Sequence, residues 1–189
     1  KEFLQGYQNG LRKRYFENGS LHSETPFMND DYNGVMKKYF KNGKISSLTH
    51  FVDDNLNGNR DYYNPLGEFM VRLIYHNGYL KAYTYKGSNG KFVEPILVDK
   101  DTVNMVAYYP GGQKSFEATL IGNEWNGRRV YYYKNGSVFW EEYNHMGRSH
   151  GRDVSYWPDG SKMYDFNYEY GYLHGKALTF HKNGKLERE

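Results

Sequence analysis

The sequence contains no cysteine, which removes disulfides, thiolate metal sites and cysteine nucleophiles together. No stretch approaches the roughly 18 consecutive apolar residues of a membrane-spanning helix, so no transmembrane segment is expected. Charge of one sign is scarce too. The 25 Lys and Arg set against 22 Asp and Glu leave a net charge of +3, and no basic run of five occurs, so nucleic acid is not an expected partner. Aliphatic residues are few and mean hydropathy is −0.93, too polar for an ordinary Leu/Val/Ile core. What the chain has instead is tyrosine and glycine, 21 of each, in a sequence that is 19% aromatic. Disordered chains are poor in aromatics, and burying a Tyr ring yields roughly 1.5–3 kcal/mol if the hydroxyl stays wet or bonded. The composition therefore describes a thin fold with buried rings and wet tips. The chain starts at Lys1 rather than Met, which leans toward a mature, exported form at the periplasm or cell surface.

Glycines recur in phase: Gly19, Gly43, Gly67, Gly90, Gly112, Gly136, Gly160 and Gly184. A second glycine precedes six of them by nine residues, at Gly10, Gly34, Gly58, Gly127, Gly151 and Gly175. The unit reads Gly-x4-Tyr-aromatic-x-Asn-Gly-x-apolar, clearest in Gly10–Leu21, Gly34–Ile45 and Gly127–Val138. Asn-Gly between aromatic strands is the strongest short hairpin signal, and the extra residue before Asn predicts a type I turn closed by a left-handed glycine. That register sets Tyr15 against Leu21, Tyr39 against Ile45 and Tyr132 against Val138. It also predicts two ion pairs, Arg12 with Glu24 and Arg129 with Glu141. Adjacent aromatics such as Tyr132 and Tyr133 fall on opposite faces.

Helices are excluded by the glycine spacing. A propeller needs a period near 40 residues, and a sandwich gives no reason for a strict 24-residue phase. The expected fold is all-β: an elongated antiparallel sheet of about eight tandem β-hairpin repeats of 24 residues, sixteen strands spanning roughly 75 Å. Three repeats occupy residues 1–68 and four occupy 107–189. Between them, 69–106 reads as a divergent fourth repeat with an insertion, given the supplementary turn His76-Asn77-Gly78, the missing earlier glycine and Pro95. The whole is expected to be one continuous array.

The pattern resembles the MORN repeat in its bacterial variant, best at Asn126-Gly127-Arg128, Tyr132-Tyr133-Lys134-Asn135-Gly136, His150-Gly151-Arg152, Tyr156-Trp157-Pro158-Asp159-Gly160 and His174-Gly175-Lys176. Ala107-Tyr108-Tyr109-Pro110-Gly111-Gly112 and the stretch before it resemble the YwqK-like group, described as antitoxins. The resemblance implies protein scaffolding or, for some members, phospholipid contact. It carries no catalytic residues, and no cofactor or metal is expected.

Several local motifs compete with that reading. Gly147-Arg148-Ser149-His150-Gly151 matches the nucleophile elbow, which works only on a strand-to-helix turn; no helix is expected after Ser149. Asp53-Asp54-Asn55-Leu56-Asn57-Gly58 matches half a calcium loop, but Asn64 stands where the bidentate Glu belongs, so the bland reading is a polar turn between hairpins. His150 and His174 share one repeat position roughly 10 Å apart, too far for one metal. Arg128, Arg152 and Lys176 also share a position. They form either a basic ladder for phosphates or an acidic partner, or a solvated face. Phe16, Phe40, Tyr109, Tyr133 and Trp157 lie three residues before their turn glycines and form either an open interface stripe or core.

These residues are the candidate interaction surface. The expected function is a non-enzymatic protein-binding scaffold, with an antitoxin or immunity protein as its narrower form and a toxin or envelope protein as partner. The alternative is binding to anionic phospholipid through the basic ladder. Open strand edges at Lys1–Leu4 and Lys185–Glu189 invite edge-to-edge self-association unless shielded by charge such as Arg188.

Overall fold

The structure, a computed structural model, describes residues 2–4 and 6–189, with side chains from residue 6 onward. It is all-β and built of antiparallel hairpins in chain order, as expected. Numbered by their turn glycines, hairpin 1 pairs Tyr7–Tyr15 with Leu21–Met28, hairpin 2 Gly34–Tyr39 with Ile45–Val52, and hairpin 3 Asn55–Tyr63 with Phe69–His76. Hairpin 4 pairs Tyr79–Thr84 with Ile96–Leu97, and hairpin 5 Thr102–Tyr108 with Lys114–Ile121. Hairpin 6 joins Gly127–Tyr132 to Val138–His145, hairpin 7 Arg148–Tyr156 to Lys162–Glu169, and hairpin 8 Leu178–Phe180 to Leu186–Arg188. Of the edge expected at Lys1–Leu4, Lys1 lies outside the described residues; Glu2–Leu4 pairs with the start of hairpin 1.

Each turn closes the same way. The residue three before the glycine donates its N–H to the carbonyl one after it, and the glycine N–H donates back, as in Phe16 N to Ser20 O at 2.8 Å and Gly19 N to Phe16 O at 2.9 Å. All eight turn glycines have φ between 75° and 85°, a region that costs an L-residue roughly 1–2 kcal/mol. The Asn before the glycine is chosen for a second reason. Its Oδ1 accepts the N–H two residues on at Asn18, Asn42, Asn89, Asn135 and Asn183, and Asp159 does the same.

The register beyond the turn corrects one expectation. Tyr15 faces Leu21, Tyr39 faces Ile45 and Tyr132 faces Val138 as predicted, but the next pair inward is Arg14 with Ser23, so His22 is an extra, bulged residue. The bulge recurs at Ser46, Met70, Ser115, Phe139 and Met163. One inserted residue moves every later partner by one. Arg12 therefore faces Thr25 and Arg129 faces Glu142. Glu24 takes Lys13 at 3.3 Å, and Glu141 takes Arg128 at 2.7 Å.

Hairpins are joined by two-residue turns whose central residues both have positive φ: Asn29-Asp30, Asp53-Asp54, Asn77-Gly78, Gly122-Asn123, Met146-Gly147 and Tyr170-Gly171. This is the type I′ signature, whose twist matches that of paired strands. Each such turn also bonds to the hairpin before it, for example Asp54 N to Tyr32 O at 3.1 Å and Gly78 N to Leu56 O at 2.8 Å. Asn77-Gly78 is thus the regular connection from hairpin 3 to hairpin 4, not a supplementary turn. The register of hairpin 4 is regular as well, with Lys86 opposite Phe92 and Ile96 opposite Tyr83.

The departure from regularity comes just after it. The link 98–101 has no positive-φ residue, and the strands are hydrogen-bonded as two ten-stranded sheets, one ending at Ile96–Leu97 and the other beginning at Thr102–Tyr108. The chain correspondingly forms two compact units, residues 1–84 with 93–98, and residues 85–92 with 99–189.

Alternation gives each sheet two faces. Counting from the turn glycine, the front face holds positions −7, −5, +4, +6 and +8, and the back face holds −8, −6, −4, +5 and +7. The front carries the core in hairpin 3, through Val71 and Leu73, and in hairpins 5 and 6, through Met105, Ala107, Phe116, Leu120 and Tyr131, all buried.

Candidate functional site

The five-residue aromatic column is divided by burial. Tyr109 and Tyr133 are 2% and 1% exposed, while Phe16, Phe40 and Trp157 are partly buried. The Tyr109 hydroxyl donates to Tyr132 O at 2.6 Å, and that of Tyr133 donates to Tyr156 O at 2.9 Å. Each of these two rings thus binds the backbone one repeat further on, and Tyr133 also packs on the bulged Phe139 at 5.4 Å. For Tyr109 and Tyr133 the core alternative holds, because a ring at the closed end of a hairpin is covered by the neighbouring turn. Phe16 packs edge-on against its own bulged residue, His22, at 4.6 Å.

The basic ladder lies on the back face and is not free. Arg152 grips Asp165 with two hydrogen bonds, Nε to Oδ1 at 2.9 Å and Nη2 to Oδ2 at 2.7 Å. Arg128 reaches Glu141 at 2.7 Å and Glu117 at 3.7 Å, and Lys176 reaches Glu189 at 2.5 Å. The row therefore alternates in sign. Hydrogen bonding by Arg152, stronger than the opposing effect of burial, pulls the Asp165 carboxyl down to about 2. Glu117 is also lowered: burial alone would raise it, but hydrogen bonds from Tyr132 and Lys114 win. The Tyr132 phenol, partly buried and donating to Glu117, rises to about 12.

The other motifs are absorbed by the repeat. The Asp54 carboxylate accepts the Tyr32 N–H at 2.6 Å, and the Asp53 carboxylate accepts Asn33 Nδ2 at 2.8 Å. These half-loop acids thus secure one turn to the previous hairpin, and among the described residues no cluster of His, Asp or Glu has the makings of a metal site. Ser149 lies inside a strand facing Asn144, and its carbonyl accepts the Gly171 N–H. Gly147 belongs to a type I′ turn, and Gly151 has φ 110° with an added Cβ only 3.2 Å from Tyr143 Cβ. Both glycines of the elbow motif therefore have backbone reasons. His150 Nδ1 accepts the Tyr170 N–H at 3.3 Å, and His174 sits 3.4 Å from Glu169.

The front face of hairpins 5–7 gathers residues that sequence reading missed. Phe116, Tyr131 and Trp140 form a continuous pile, with Tyr131 and Trp140 stacked at 4.8 Å and 7°. The Arg129 guanidinium lies 4.5 Å over Trp125 and pairs with Glu142. Trp140 Nε1 donates to Asp153 Oδ1 at 2.7 Å, and Tyr164 stacks on Phe166 at 4.8 Å. Burial raises the Asp153 carboxyl despite hydrogen bonds from Trp140 and Tyr164, and raises the Tyr164 phenol as well. Trp125, Trp140, Tyr164 and Phe166 are each partly exposed. For Trp140, Tyr164 and Phe166 the signal was present in the sequence as positions +4 and +6 of the repeat. It becomes readable once the bulge at +3 is allowed for, since without it these rings are assigned to the wrong face.

Among the described residues no helix is long and apolar enough to cross a membrane. No curated protein matches the chain. The family model of the MORN repeat variant matches residues 8–29, 32–53 and 173–189. These matched stretches fall on hairpins 1, 2 and 8, which are similar to that repeat variant, and the hairpins between them share the same turn and bulge.

Proposed function

We propose that the chain is a non-enzymatic, protein-binding module. The observation that supports this is the partly exposed row Trp125, Trp140, Tyr164 and Phe166 on one face of the second unit, with Arg129 among them. Trp, Tyr and Arg are the residues enriched at binding hot spots, and a sheet stapled from repeat to repeat holds them with little ordering left to cost affinity. The narrower form of this reading is an antitoxin or immunity protein that covers a toxin, for which the YwqK-like resemblance is the support. The partner would then meet a preformed face rather than an enclosed pocket.

The test is capture of a partner from native extract by the full chain, followed by identification of a stoichiometric complex. Trp125→Ala and Phe166→Ala, each checked for retained β-structure by circular dichroism, are expected to abolish capture. A complex unaffected by both changes refutes the role given to this face. Lipid binding has weaker support, since the row on which it leaned carries a carboxylate at each cation. Flotation with anionic liposomes at low and high salt checks it, and no binding at low salt removes it.

A further inference from the structure

Position −7 of the repeat holds arginine three times, at Arg12, Arg60 and Arg129. In hairpin 6 the facing residue at +6 is Glu142, which neutralises Arg129 within the hairpin. In hairpin 1 the facing residue is Thr25, which cannot do so. Position −5 repeats the contrast: Arg14 and Lys38 face Ser23 and Ser47. Among the described residues, no Asp or Glu occupies a front-face strand position from −7 to +8 in hairpins 1–3.

The result is a one-sided field. Arg12, Arg14, Lys38 and Arg60 share one face over a floor of buried hydroxyls, Ser23, Thr25, Ser47 and Thr49, each 4–5% exposed. Arg14 and Lys38 are exposed, and neither has a carboxylate partner among the described residues. Arg12 lies 4.3 Å over the Phe27 ring and touches the Tyr32 hydroxyl at 3.4 Å, yet its buried Nε has no acceptor. The Lys38 ammonium is lowered by lost solvation and then by repulsion from Arg60 and Arg14, and His22 is lowered by burial and then by Lys38 and Arg14. The back face of the same hairpins carries carboxylates beside its cations, with Lys13 paired to Glu24, Arg72 to Asp61, and Lys37 opposite Glu24 across the neighbouring strand. Among the described residues, cationic charge with no carboxylate on its own face is thus confined to the front.

We infer that the front face of hairpins 1–3 docks an acidic segment of a partner protein, whose carboxylates take the place that Glu142 fills in hairpin 6. The spacing suits a polypeptide laid across the strands. Arg14 and Lys38 are separated by the intervening Ser23 strand, so their backbones stand roughly 10 Å apart. A polyproline II segment repeats every three residues, roughly 9 Å. This inference rests on the protein-binding reading and supplies the chemistry of one partner segment.

The test uses the full chain and a fluorescent peptide of repeating Glu-Pro-Pro, with the Gln-Pro-Pro peptide as control, read by anisotropy at low salt. The acidic peptide should bind and the control should not. Arg14→Glu with Lys38→Glu should weaken binding about tenfold or more. Thr25→Glu with Thr49→Glu should do the same by supplying the carboxylate internally, with circular dichroism unchanged. Arg128→Glu with Arg152→Glu, on the other unit, should leave peptide binding intact. Absence of binding to the unaltered chain overturns the inference, as does equal loss in all three double variants. It is overturned too if phosphatidylcholine–phosphatidylserine vesicles bind through Arg14 and Lys38 while the peptide does not. A chain that fails with the peptide but still captures a partner through Trp125 and Phe166 overturns this inference alone.

Discussion

Hairpins 1 and 2 and hairpins 5 and 6 share turn, bulge and register, yet their front faces are filled by opposite means. At +4 the first pair carries Ser23 and Ser47, where the second pair carries Phe116 and Trp140. At −5 Arg14 and Lys38 stand against Ala107 and Tyr131. The backbone ladder is evidently sufficient to specify the hairpin, since it forms over hydroxyls as well as over rings. What the rings add is burial: Phe116 and Tyr131 are both 0% exposed. One scaffold therefore supports a packed aromatic face in one unit and an open cationic face in the other.

The sharpest way to break the comparison is to remove the filling. Phe116→Ala should cost about 3–5 kcal/mol, whereas Ser23→Ala at the same repeat position should cost under about 1 kcal/mol; urea titration of both variants checks the ratio. Similar losses would mean that the two faces are packed alike.

Glycine positions divide next. Gly136→Ala meets nothing within 4 Å and should lose about 1–2 kcal/mol from backbone strain alone. Gly34→Ala and Gly151→Ala add contacts at 3.1 Å to Pro26 and 3.2 Å to Tyr143, so both should lower the melting temperature further than Gly136→Ala does.

Two carboxylates of hairpin 7 should respond to pH in opposite senses. Asp165 is held below its unfolded value, so its stabilisation is complete above about pH 4 and is lost as pH falls toward 2. Asp165→Asn should remove about 1 kcal/mol at neutral pH, modest because Arg152 is 46% exposed. Asp153 is raised by burial, so its protonated form favours the folded state at low pH, and that advantage fades as pH rises through its folded value. Asp153→Asn should flatten this component and cost less at pH 7 than Asp165→Asn. Chemical denaturation across pH for the two variants tests the signs. Asn18→Ala removes the acceptor of the Ser20 N–H at 3.1 Å and of the Ser20 hydroxyl at 2.7 Å, both exposed, and should cost about 0.5–1.5 kcal/mol.

Much of the fold was legible because the instructions are local. An Asn-Gly corner with an aromatic four residues earlier implies its own turn and first cross-strand pair, and Tyr15 with Leu21 follows from those few residues. The site was less legible. The candidates Tyr109 and Tyr133 have the right composition for an interface, but burial depends on the next repeat, whose backbone they bond. Arg128 and Arg152 looked like a basic row because their partners Glu141 and Asp165 lie thirteen residues away across a bulged register. The cations at Arg14 and Lys38 went unremarked for the same reason, since a register wrong by one residue mixes the two faces.

The amino-acid sequence by itself determined the number, spacing and handed geometry of the turns, because left-handed φ and short Asn hydrogen bonds are properties of a few consecutive residues. Only the tertiary structure decided which face is filled, which charges are neutralised, and that the strands divide into two sheets after Leu97. Those outcomes depend on a bulge repeated across strands and on contacts between residues one repeat apart, which no single window of sequence contains.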